Sequence, residues 1–156
     1  MIIALIIKIS QNFIIYFQKI LIYYKMDKLI YLFIPMLSVY IVSYYYPVTK
    51  QAGKDIWFRP PPYVFGIVWP ILLLLIGFSW YLRPNLSFYY TILTILLSTW
   101  SIFWSYSKIY SLINIIITTF FTLYLILKKY SKKSSILLIP LFLWLSFATL
   151  LNFYSI

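Results

Sequence analysis

An all-α integral membrane bundle of five transmembrane helices is the fold this sequence predicts, and three observations carry it. Of 156 residues, 64% are hydrophobic and only 10% are charged, with a mean hydropathy of +0.94. A soluble domain carries roughly 45–50% apolar and about 25% charged residues. This chain lacks the polar surface to face water, so the bilayer must be its solvent. The apolar residues fall into five runs of roughly 20 residues, the length that crosses a bilayer as a helix. The connections between runs are short, which makes neighbouring helices antiparallel.

The first run covers residues 29–46, after Lys25 and Lys28 and before Pro47. A polar loop over 48–59 follows, with Lys50, Gln51, Gly53, Lys54 and Asp55. The second run opens on Pro60-Pro61-Pro62 and continues to Leu82, where Arg83-Pro84-Asn85 stops it. Proline suits a helix start because the first N–H groups have no intrahelical acceptor. The third run covers 88–106 and stops at Ser107-Lys108. The fourth covers 110–127 and stops at Lys128, Lys129, Lys132 and Lys133; the fifth starts at Ser135. Pro70 and Pro140 lie inside runs two and five, where each removes a backbone hydrogen bond and bends the helix. Such a bend is either a local irregularity or a device that opens space between helices for a ligand.

Residues 1–25 form an apolar, basic extension ahead of a single domain over 26–156. Lys8, Ser10, Gln11, Asn12, Gln18 and Lys19 interrupt the extension and suit it poorly to spanning hydrocarbon. It has no small-residue cleavage site, and Met26-Asp27-Lys28 looks like a second start. Three readings stay open: a translated upstream segment, a basic interfacial helix, or an extra span. Lys25, Lys28, Arg83 and the four lysines after run four lie on the side where run one begins. Lys50, Lys54, Arg59 and Lys108 lie opposite, so the balance orients that start toward the inside.

Reactive groups are scarce. There is no Cys or His, and the only acids are Asp27 and Asp55. That excludes disulfides, thiolate or imidazole metal sites, Ser-His and Cys-His triads, and paired catalytic acids. The net charge of +11 is scattered between apolar runs, as lysines at membrane interfaces are. The expected partner is therefore the lipid bilayer and not nucleic acid. Aromatic residues are abundant, with Tyr 17, Phe 13 and Trp 6, which leaves binding or ring chemistry. No span shows a polar stripe that would line a water path, so a pore is disfavoured. Ser101 and Ser105 form a small-xxx-small pair that would suit a homodimer.

Two segments go beyond generic membrane composition. One is Phe58-Arg59-Pro60-Pro61-Pro62-Tyr63-Val64-Phe65-Gly66-Ile67-Val68-Trp69, with Gly77 eight residues on. The other is Pro140-Leu141-Phe142-Leu143-Trp144-Leu145-Ser146-Phe147-Ala148-Thr149-Leu150-Leu151-Asn152. In order and at this separation they resemble the TspO/MBR family: the tryptophan-rich sensory proteins of bacteria and the mitochondrial translocator protein, or peripheral-type benzodiazepine receptor. The resemblance covers about residues 29–156. Trp100-Ser101-Ile102-Phe103-Trp104 adds partial support, standing where the family has a Trp-Ser-Pro-Leu-Phe-Phe segment. Leu93, Leu97 and Leu141 occupy positions where the family usually has Gln, Asn and Tyr. Tyr63 stands where it has Trp. A pocket that loses hydrogen-bonding groups discriminates less among polar ligands.

The resemblance implies a five-helix bundle, often dimeric, with an interhelical pocket capped by the loop between the first two spans. It implies porphyrin, or a sterol-like or drug-like flat molecule, as ligand, with no obligatory cofactor or metal. A sensing, receptor or transport role follows. The membrane would be a bacterial cell membrane, the mitochondrial outer membrane or another host membrane. By matching position, Trp100, Trp104 and Trp144 would be pocket aromatics, Ala148 and Leu151 the wall beside Trp144, and Phe58, Pro61 and Tyr63 the roof. Trp144, Ala148 and Leu151 are spaced four and three apart, hence on one helix face. Arg59 or Lys54 would pair with propionates. Leu151-Asn152-Phe153-Tyr154 begins the family's sterol pattern, but no basic residue follows through Ile156. A binding protein is expected before an enzyme; the enzymatic alternative is light-dependent porphyrin degradation with Trp100 and Trp144 as redox partners. Asn152 is expected to bond another helix, since an unpaired amide in a membrane is costly.

Overall fold

The computed structural model describes residues 28–48, 56–128 and 132–156. The chain divides into two compact units, Met1–Ile30 and Tyr31–Ile156. Of the first unit only residues 28–30 are described; the helical bundle is built from the second. The expected extension over 1–25 and the loop residues Lys50 and Lys54 lie outside the described residues.

The helices are α1 (Lys28–Tyr45), α2 (Pro62–Tyr81), α3 (Ser87–Tyr106), α4 (Lys108–Leu127) and α5 (Lys132–Phe153). All are long and apolar enough to cross a membrane, and the described residues contain no strand. α5 starts at Lys132, three residues before the expected Ser135. Lysine is a good helix former, and its stem can lie along apolar surface while the ammonium reaches the interface. Of the three consecutive prolines only Pro62 is helical, and it sets φ for the first turn of α2. α2 and α5 continue through Pro70 and Pro140. A single 3₁₀ turn, Pro84–Leu86, joins α2 to α3.

α4 packs on both α3 and α5, and α5 packs on α2. α1 crosses α2 at Gly77, where an added β-carbon would collide with the backbone carbonyl of Leu32. Only glycine permits so close an approach. The spatial order is therefore α1–α2–α5–α4–α3.

α4 shows how the sequence chooses its faces. Ile109, Ile113, Ile117, Phe120 and Leu127 are exposed, whereas Ser111, Asn114, Ile115, Thr118, Thr122 and Leu125 are buried. Apolar groups face outward because lipid is the outer solvent, and small polar groups face inward because they let helices approach. Ser111, Asn114, Thr118 and Thr122 recur at intervals of three and four, a single inward stripe. The stripe is nevertheless unsuited to a water path: the Thr118 and Thr122 hydroxyls each donate to the carbonyl four residues back, at 2.8 Å. Ser101 is also inside the bundle, donating to the Ser98 carbonyl at 3.3 Å. Ser105, one turn further on, is exposed.

The end of the bundle where α2 meets α3 is closed by hydroxyls. Ser79, Tyr90 and Ser134 are fully buried and lie mutually in hydrogen-bond contact: Ser79 Oγ to Tyr90 Oη 2.6 Å, Ser79 Oγ to Ser134 Oγ 2.7 Å, Tyr90 Oη to Ser134 Oγ 2.8 Å. This ring ties α2, α3 and α5 together. Trp80 lies beside it, stacked between Tyr31 (centroids 5.1 Å) and Tyr90 (5.7 Å), with its Nε1 donating to Ser87 Oγ at 2.8 Å. At the same end Lys128 Nζ donates to Tyr89 Oη at 2.8 Å and sits 4.0 Å from the Tyr89 ring centroid.

Candidate ligand cavity

At the opposite end the bundle opens into a cavity of about 390 Å³, within the usual range for small-molecule sites. It lies between the last turns of α1, α3 and α5 and the first turns of α2 and α4, beneath the loop that joins α1 to α2. Five aromatic residues stand in its wall: Phe65 and Trp69 from α2, Trp100 and Trp104 from α3, and Trp144 from α5. Phe65 meets the Trp144 ring edge-on at 5.6 Å, and Trp100 and Trp104 tilt against each other at 5.5 Å. Arg59 borders the cavity from the loop, 5.8 Å from the Phe65 ring centroid. That leaves a cation over an aromatic face at the end nearest the interface.

Helix phase decides which of the expected residues meet there. Trp144, Ala148 and Leu151 line the wall, as do Trp100 and Trp104. Because α2 starts at Pro62, Pro62, Phe65 and Trp69 fall on one face and line the cavity. Tyr63 falls off that face and is 68% exposed. Pro61 is also exposed and, like Tyr63, is not part of the wall. Phe58 packs edge-on against Phe147 (6.3 Å) and Tyr154 (5.3 Å), fastening the loop to the end of α5. Of the apolar replacements, Leu97 reaches the cavity, while Leu93 and Leu141 are buried in the core.

Two asparagines border the cavity, and they differ. Asn152 Nδ2 donates to the Ala148 carbonyl at 3.0 Å. Its Oδ1 accepts from Trp100 Nε1 at 3.3 Å and faces Ser111 Oγ at 3.1 Å. It joins α3, α4 and α5, the helix-linking role expected of it. Asn114 Nδ2 donates to Thr99 Oγ1 at 3.3 Å, but its Oδ1 is buried without a hydrogen-bond partner. Trp144 Nε1 is likewise buried and unpartnered. The sequence expectation omits Asn114, although the cost argument that singles out Asn152 applies equally to it. It also omits Phe65, which helix phase would have found once the start of α2 was fixed.

Five membrane-length helices around a cavity bordered by four tryptophans define an integral, multi-pass membrane protein. The TspO/MBR family model matches residues 31–156, all five helices but the first turn of α1. The chain belongs to the TspO/MBR family. No curated protein and no solved structure gives a significant match.

Proposed function

We propose that this protein binds porphyrins or similar flat apolar ligands in the aromatic cavity, in a sensing or transport role. The observation that carries the reading is the wall itself: Trp69, Trp100, Trp104 and Trp144 surround one space. A planar macrocycle stacks on such faces, each aromatic pair contributing about 0.5–1.5 kcal/mol beyond simple burial. Ala148, small among large neighbours, leaves room for a ring edge. Arg59 at the interface end supplies the charge for a ligand carboxylate.

Titration of the purified protein in detergent with protoporphyrin IX, followed by tryptophan fluorescence, tests the reading. Saturable quenching is expected, weakened in Trp100→Phe and Trp144→Phe. Quenching that never saturates, or that is the same in both variants as in the parent, overturns it.

A second reading has one observation in its favour: four indoles border a single cavity. A bound porphyrin, excited by light in the presence of dioxygen, would have indoles within reach as redox partners, giving porphyrin degradation. Loss of the porphyrin absorption bands on illumination, slowed in Trp100→Phe or Trp144→Phe, would favour it over binding alone.

A further inference from the structure

We infer that Asn114 makes the cavity selective for ligands carrying a hydrogen-bond donor, a hydroxyl or N–H, on the edge that enters the bundle first. The inference deepens the tetrapyrrole reading and rests on it. Its basis is the assignment of one amide. Thr99 Oγ1 spends its single proton on the carbonyls of its own helix, with Ile95 at 2.9 Å and Leu96 at 3.2 Å. Toward Asn114 it is therefore an acceptor, and only the Nδ2 of Asn114 can satisfy it. In this arrangement Nδ2 faces Thr99 and Oδ1 is the atom left over.

That oxygen is unpartnered and buried just beneath the cavity surface, in a residue only 5% exposed that forms part of the cavity wall, so a ligand's donor reaches it by displacing the wall atoms that cover it. Its neighbour along the stripe does not relieve it, because the Thr118 hydroxyl is bonded to the Asn114 main-chain carbonyl at 2.8 Å. An amide oxygen with no donor is disfavoured in a membrane interior, so a ligand that brings a donor is preferred over one that does not. Asn114 stands six residues into α4, about 9 Å from its start at 1.5 Å per residue. Arg59 lies on the loop. A molecule with carboxylates near Arg59 would present its opposite edge to Asn114. Protoporphyrin, whose opposite edge carries vinyl groups, leaves this acceptor unused.

The test uses porphyrins that share one macrocycle. Haematoporphyrin carries hydroxyethyl groups where protoporphyrin carries vinyls, and its methyl ether keeps the oxygen but loses the donor. Titrated by tryptophan quenching into the full chain in detergent, haematoporphyrin is expected to bind about tenfold more tightly than its ether, the worth of one neutral hydrogen bond. In Asn114→Leu the difference is expected to fall to about twofold or less. Equal binding of alcohol and ether by the parent protein overturns the inference, and that comparison needs no variant to fold. A preference that persists unchanged in Asn114→Leu, with helix content intact by circular dichroism, overturns it too, since the ether would then be excluded by size. If all these porphyrins bind but without discrimination, the inference falls and the tetrapyrrole reading stands. If none binds saturably, both fall.

Discussion

The two ends of this bundle treat buried polar groups in opposite ways. At the closed end Ser79, Tyr90 and Ser134 satisfy one another within 2.8 Å, and Trp80 is held between two tyrosines with its N–H bonded. At the open end Asn114 Oδ1 and Trp144 Nε1 have no partner, although both residues border the same cavity. Leaving a buried polar group unpaired costs about 1–3 kcal/mol. Thr94 Oγ1, in the half of α3 nearer the closed end, is also buried and unpartnered but does not border the cavity, so the ends differ in whether their unpaired groups surround a space. On the proposed reading, the contrast separates a fastening from a receiving site.

If that separation is right, substitutions at the two ends should have different consequences. The largest effect is expected at Gly77, on the helix that also carries Ser79 and Trp80. In Gly77→Leu the side chain must displace the α1 backbone, with a loss of at least about 3 kcal/mol. Thermal unfolding in detergent would show it, and a melting temperature close to the parent's would mean that α1 does not cross there. Tyr90→Phe removes one member of the hydroxyl ring but leaves Ser79 and Ser134 paired. A loss of about 1–2 kcal/mol with unchanged protoporphyrin affinity is expected; weakened binding instead would join the two ends functionally.

Trp144→Phe should invert this pattern. It removes an unpartnered donor, so stability should change by less than about 1 kcal/mol, while the protoporphyrin dissociation constant rises about tenfold. The smallest effect is expected at Arg59→Gln. Its charge lies near the interface, so about threefold of affinity at low ionic strength should vanish as salt is raised. A salt-independent change would point to packing on Phe65 and not to charge.

The five helices were legible in the sequence because lipid imposes a length and an apolar composition that few other environments demand. Trp144, Ala148 and Leu151 were expected from the family resemblance, and their spacing of four and three, which fixes a helix face regardless of where the helix ends, agrees with it. The α2 side depended on one detail that three consecutive prolines left open. With the start at Pro62, the wall takes Phe65 and Trp69 and turns Tyr63 outward. Asn114 was hidden differently. In an apolar run a lone amide looks like noise until Ser111, Thr118 and Thr122 are seen to share its face.

The separation of fastening from receiving site is tested most directly by photoaffinity labelling with a diazirine-bearing porphyrin, mapped by peptide mass spectrometry. Label is expected within residues 108–118 and 144–152, and excess protoporphyrin should abolish it. Label concentrated within residues 79–90, or label that protoporphyrin does not displace, would contradict the account.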